Sequence, residues 1–267
     1  MSLSIQGKTA IVTGAARGVG LAIARHLVER GAQVMFADGE EAALAQAVAN
    51  YDDDRQVRRF VGNMAEKLAM ANLLSATIDA FDRVDILVNA HRFVKSSDPL
   101  DTDIDALEEM LRQNLLSGLR LSQIVAKRMI RQAEGDKDSP QTGAIVNIST
   151  LAARRPIPSM LGYSIACAAQ EHATRGLALA LAPHRIRVNG VSFSSVMSHE
   201  LQCGLKENPD KRAQIIAGTP LGRIAAADEL AETVHYLVSD AARFVTGQIV
   251  TVDGGRSLAD PVTAQIL

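Results

Sequence analysis

The chain has 267 residues, with 28 Lys and Arg against 30 Asp and Glu, 47% hydrophobic residues, 3% aromatics and no Trp. A net charge of -2 without a basic run gives no electrostatic footprint for nucleic acid. The two cysteines, Cys167 and Cys203, form neither a disulfide framework nor a metal spacing, so no metal site and a reducing, cytoplasmic compartment are expected. No N-terminal apolar stretch resembles a signal peptide, and no uncharged segment is long enough to span a bilayer.

Short β-rich runs alternate with longer helical patterns. Ala10–Val12, Gln33–Phe36, Val57–Val61 and Ile86–Val88 read as strands, as do Ala144–Ile148, Ile186–Val191 and Gln248–Val252. Stretches 18–30, 65–81, 103–131, 160–181 and 227–239 carry helical spacing, and a shorter helix is expected over Glu40–Asn50. Such alternation means βαβ units on a parallel sheet. Seven strands predict an α/β, doubly wound parallel sheet of the Rossmann type in a single domain spanning 1–267. The polar, breaker-rich run Gln132–Thr142 reads as a surface loop before the fifth strand.

Gly14, Gly18 and Gly20 follow the first strand and open the first helix. Glycines there let the backbone turn tightly against a pyrophosphate, while the helix N-terminus supplies N–H donors. Asp38 closes the second strand, where a carboxylate accepts the adenosine ribose hydroxyls and repels a 2′-phosphate. NAD is therefore expected over NADP, although Arg17 in the glycine loop offsets part of that repulsion. Asp38 has a second reading as the N-cap of the Glu40–Asn50 helix.

Thr13-Gly14-Ala15-Ala16-Arg17-Gly18-Val19-Gly20, Asp38, Asn89-Ala90, Asn114 and Tyr163 together resemble the short-chain dehydrogenase/reductase family over roughly residues 5–257. The resemblance implies a tetrad. Thr150, 13 residues before Tyr163, stands where the family binds the substrate oxygen through Ser. Tyr163 would move the proton, and Asn114 would position a water in a proton relay. Cys167 stands where the family has the Lys that holds the nicotinamide ribose and lowers the Tyr pKa. Without that cation, Tyr163 is expected near the ordinary value of roughly 10, and Cys167 reads as a buried, inert thiol rather than a reactive one.

The resemblance also assigns cofactor contacts. Arg17, Val19 and the three glycines would lie at the pyrophosphate. Asn63-Met64 replaces Asp-Val, with the Asn63 amide oxygen accepting from adenine. Asn89, Ala90 and His91 would line the inner ribose. His91 replaces Gly, so it either turns outward, with His tolerating positive φ, or intrudes on the cofactor. Phe193-Ser194 replaces Pro-Gly beside the nicotinamide. Val196 and Ser198 match contacts to the carboxamide and phosphate. The region 193–222 resembles a substrate lid, whose Met197, His199, Leu201 and Leu205 suggest a small, apolar-leaning alcohol or ketone. The family's assembly predicts a homotetramer or homodimer, or a mixed oligomer with a paralogue. Two functional readings stay open. One is an NAD-dependent oxidoreductase with impaired or altered chemistry; the other is a dinucleotide-binding pseudoenzyme or non-catalytic subunit. A ligand-free structural partner is disfavoured by the intact glycine loop.

Overall fold

The computed structural model describes residues 2–51, 55–101, 106–135 and 141–260, without the side chains of 199, 200, 203, 207 and 209. The first residues of the expected 103–131 helix and positions 136–140 of the expected loop lie outside the described residues.

The chain begins with strand β1 (Thr9–Thr13), helix α1 (Gly18–Glu29), β2 (Gln33–Asp38) and α2 (Glu41–Val48). Next come β3 (Val57–Val61), α3 (Lys67–Phe81) and β4 (Ile86–Asn89). A short α4 (Leu107–Met110) passes through a π-helical turn, Leu111–Leu116, into α5 (Ser117–Gln132). Then follow β5 (Gly143–Thr150), α6 (Leu161–Leu181) and β6 (Ile186–Phe193). The lid region holds β7 (Val196–Met197), α7 (His199–Glu207) and α8 (Pro209–Ala217). The chain closes with β8 (Ala225–Ala226), α9 (Ala227–Val238) and β9 (Ile249–Val252).

Seven strands form one parallel sheet in the order β3-β2-β1-β4-β5-β6-β9. This is the expected doubly wound sheet, with its order reversing between β1 and β4. Parallel strands covered on both faces are apolar along their whole length, and β1 and β4 are buried throughout. Two cores result. One packs α1 and α9 on one face through Ile23, Leu27, Leu230, Val234 and Val238. The other packs α3 and α5 on the opposite face through Met70, Leu73, Leu121 and Val125. A smaller cluster of Met110, Ala152, Tyr163, Ala166 and Cys167 gathers beside the end of β5.

One expected element is corrected. The 103–131 pattern is not one regular α-helix, because the π turn interrupts it at Asn114. The 160–181 pattern is α6 to within one residue, preceded by the 3-10 turn Pro158–Met160. The small β7–β8 pair, joined Val196 to Ala225 and Met197 to Ala226, is too short to leave a periodic signal. Among the described residues no helix is long and apolar enough to cross a membrane.

Candidate active site

Order reversal between β1 and β4 leaves a crevice at the carboxyl ends of the strands, which is where open α/β sheets bind ligands. A cleft of about 710 Å³ lies there. Its wall runs from Asp38 and Glu40, past Gly14, Arg17, Gly18, Val19 and Gly20, to Ala90, His91, Thr150 and Phe193. Asn63, Met64, Val196 and Ser198 also line it. Most of the residues expected at a dinucleotide are therefore brought together.

The glycines have specific work. Gly14 and Gly18 sit at φ 67° and 57°, the left-handed region that suits glycine. A Cβ on Gly14 would come within 2.8 Å of the Ala90 carbonyl oxygen and the His91 backbone. Thr13 at the end of β1 fixes that second turn, its hydroxyl accepting from the Ala90 and His91 amides at 3.1 and 3.2 Å. The glycine loop and the 89–91 turn thus pack backbone to backbone, leaving the N-terminus of α1 open to an anion.

At the adenosine end, Asp38 is held by two backbone donors. Its Oδ2 accepts from Ala16 N at 3.0 Å and its Oδ1 from Glu40 N at 3.1 Å. It does not cap α2, whose N-cap residue is Glu40, so the capping reading is corrected: Asp38 ties the glycine loop to the β2 turn. Arg17 reaches Glu40 at 3.9 Å, with both side chains exposed. Glu40 is a second carboxylate at this end, which the motif reading missed. Asn63 already spends its amide oxygen on Ala65 N at 2.9 Å, leaving one lone pair for an adenine.

Two asparagines prove to be braces. Asn89 is buried and donates to Asn147 Oδ1 at 2.8 Å and Ser122 Oγ at 2.9 Å, so its side chain faces the interior rather than the cleft. Asn114, in the π turn, accepts from Phe93 N and donates to Phe93 O, both at 2.8 Å, and donates to Met110 O at 3.1 Å. Both its amide hydrogens are spent, which leaves one lone pair on its amide oxygen. His91 is not at positive φ, against expectation. Its ring is tethered to Gln113 Oε1 through Nε2 at 3.2 Å, and it still lines the cleft.

The proton-transfer end departs furthest from expectation. Tyr163 is buried beside Thr150 and Cys167 and does not line the cleft, whereas Thr150 does. Burial pushes the Tyr163 phenol well above its ordinary value, beyond the unshifted value expected from loss of a lysine. Cys167 Sγ lies 3.7 Å from Thr150 Oγ1, and burial pushes this thiol up as well. Cys167 is a buried free cysteine, the setting in which the inert reading placed it. Arg92 is the residue sequence reasoning missed. Its guanidinium lies 5.9 Å over the Phe193 ring on the cleft wall, and its charge pulls the Tyr163 phenol down against the larger effect of burial. No motif signals Arg92, because loop 90–101 has no regular structure to set its direction.

Ser198 accepts from Leu201 N at 3.2 Å and begins α7, keeping its hydroxyl hydrogen for a ligand. Val196 is buried on the cleft wall. Phe193, Leu201 and Phe93 make part of that wall apolar, while Arg92, Gln113, Ser194 and Ser195 make part of it polar.

Residues 14–257 match the family model described as enoyl-(acyl carrier protein) reductase. The chain is 31% identical to D-erythrulose reductase of Gallus gallus over 95% of this chain and 97% of the relative. It is 34% identical to cis-4-hydroxycyclohexanecarboxylate dehydrogenase of Sinomonas cyclohexanicum over 93% and 96% of the two chains. Its fold is similar to a gluconate 5-dehydrogenase from Burkholderia cenocepacia in complex with NADP and tartrate, with a TM-score of 0.86, 27% identity and coverage of 97% and 98%.

Proposed function

The chain belongs to the short-chain dehydrogenase/reductase family, and from this premise we propose that it is an NAD-dependent oxidoreductase acting on a small ketone or secondary alcohol. The observation that carries the reading is the continuous cleft from Asp38 to Thr150, with Tyr163 buried beside Thr150 at its inner end. Backbone-lined glycines with no room for a Cβ fit a pyrophosphate. When bound, the nicotinamide supplies or accepts the hydride. Thr150 holds the carbonyl oxygen of the substrate and links it to Tyr163. Tyr163, kept neutral by burial, gives its proton to that oxygen during reduction. Arg92 supplies positive charge at this end, where Cys167 supplies none. Residues 193–222 serve as the lid over the substrate.

A neutral phenol suits reduction, which consumes its proton. It opposes alcohol oxidation, which needs the phenolate. One observation favours a second reading, that of a dinucleotide-binding subunit without turnover: Tyr163 lacks a neighbouring lysine and stands off the cleft wall. The names of the relatives span a sugar reductase and a cyclic hydroxy-acid dehydrogenase. A small hydroxylated or cyclic ketone is therefore the first class to test.

Asp38 and Glu40 face a 2′-phosphate with two carboxylates against the single guanidinium of Arg17. We expect NADH to bind at least about tenfold tighter than NADPH, a difference of about 1.4 kcal/mol. Fluorescence titration measures both constants, and Asp38→Ala should narrow the gap. Equal affinities, or tighter NADPH, would remove Asp38 as the discriminator.

Assembly follows from α6, whose outer face exposes Leu161, Ile165 and Leu179, and from the fully exposed Phe244 before β9. Apolar side chains at helical spacing on an open face favour a partner helix. A homodimer or homotetramer through α6 and β9 is expected. Light scattering at micromolar concentration checks it, and a monomer would contradict it.

A further inference from the structure

Away from the cleft, α1 and α9 pack side by side on one face of the sheet. At one end of that contact three side chains converge. His26 Nε2 lies 3.3 Å from His235 Nδ1, and Glu232 Oε2 lies 3.6 Å from the first and 3.7 Å from the second. The nearest point equidistant from three atoms so spaced lies in their plane, about 2.0–2.1 Å from each, which is the length of a zinc–nitrogen or zinc–carboxylate bond. We propose that His26, Glu232 and His235 form a binding site for a divalent transition metal of the zinc class, clasping α1 to α9.

The surroundings orient two of the three ligands, His235 and Glu232. His235 Nε2 lies 2.7 Å from the Leu3 carbonyl oxygen. A carbonyl only accepts, so Nε2 carries the hydrogen and Nδ1 presents its lone pair toward His26 and Glu232. This is the outer hydrogen bond that orients metal-ligating histidines elsewhere. His26 Nε2, 3.3 Å from His235 Nδ1, donates its hydrogen to that lone pair, so a metal must displace that hydrogen on binding. Arg30 Nη2 binds Glu232 Oε1 at 2.7 Å, leaving Oε2 to face the two rings. The charge of Arg30 opposes a dication and argues for modest affinity. Glu232 and His235 are three residues apart on one helix face, a spacing that other helical proteins use for metals.

Both histidines are buried and Glu232 is half exposed, so the open coordination position faces solvent. Two imidazoles and one carboxylate suit zinc, cobalt, nickel or copper. They do not suit magnesium or calcium, which take oxygen ligands. Residue spacing in the sequence hides the site, because His26 and His235 are 209 positions apart.

The test uses untagged, chelator-stripped full-length protein and Zn2+ alone, read by competition with a chromophoric chelator and by thermal melting. One equivalent of Zn2+ should bind in the low micromolar range. At a hundredfold excess over Kd it should raise Tm by about 5 °C, while Mg2+ should not. Co2+ should give the visible absorption of a four-coordinate nitrogen–oxygen site. Glu232→Gln, which alters a half-exposed side chain and should stay folded by circular dichroism, should weaken binding at least about tenfold. His26→Gln should abolish it. Absence of stoichiometric Zn2+ binding by the unmodified protein would overturn the proposal. So would undiminished binding by folded Glu232→Gln, which would place the metal elsewhere.

Discussion

Cys167→Lys is expected to raise carbonyl-reductase turnover about 10- to 1,000-fold. Residue 167 lies one helical turn beyond Tyr163 on the buried face of α6, with its thiol 3.7 Å from Thr150 Oγ1. Burial now dominates Tyr163 and holds its phenol well above the ordinary range, with Arg92 as the opposing cation. An adjacent ammonium would pull it down by about 1–3 units, each worth about 1.4 kcal/mol. If that gain carries through to the barrier it spans the stated range of rates.

The sign of the pH effect follows from the same shift. In the unmodified protein Tyr163 stays protonated through neutral pH, so reduction should hold steady there. Oxidation should climb with pH, about tenfold per unit, because only the rare phenolate accepts the proton. The lysine variant should bring the oxidation limb to lower pH. A folded, NADH-binding Cys167→Lys with no gain would move the obstruction to His91 and Phe193, and the non-catalytic reading would lead.

Gly20→Ala is expected to lower NADH affinity at least about tenfold and to destabilise the fold by about 1–3 kcal/mol. A Cβ there would fall 2.1 Å from the Gly14 carbonyl oxygen and 2.7 Å from its carbon. Both obstacles are backbone. Gly14 cannot retreat, since its own far side is packed against Ala90 and His91. The strain therefore falls on the turn that presents N–H groups to the pyrophosphate. Gly204→Ala is the control. It lies inside α7 with nothing near its absent Cβ among the described residues, and should be neutral or stabilising by up to about 1 kcal/mol. Titration and thermal melting of the two variants separate a packing effect from a general loss of glycine. Similar behaviour of the two would contradict the role given to Gly20.

The strand–helix alternation, the glycine turn and the place of Asp38 were legible in the sequence because each rests on local geometry. Apolar runs of strand length, glycines at a strand-to-helix turn and an acid closing β2 need no knowledge of distant residues. What escaped the sequence depends on contacts across the fold. Asn89 matches a cofactor motif, yet its amide nitrogen donates to Asn147 and Ser122 inside the fold. Asn114 sits in a helical pattern, but its bonds to Phe93 and Met110 accompany a π turn that periodicity cannot show. Loss of a lysine was readable at Cys167. The stronger effect on Tyr163 is burial, which depends on how Met110, Ala152 and Ala166 close around it. Arg92 comes from an irregular loop, and its position over Phe193 follows only from the folded chain.

The central claim is that Tyr163 gives the proton to a carbonyl oxygen. The direct measurement is the initial rate of NADH oxidation with a panel of small hydroxylated and cyclic ketones, for the unmodified protein and for Tyr163→Phe. NADH affinity of both is fixed beforehand by titration. The account predicts measurable turnover by the unmodified protein and a loss of about 100-fold or more in Tyr163→Phe, with NADH affinity unchanged. Equal turnover in the two proteins, or tight NADH binding with no turnover on any ketone, would contradict it.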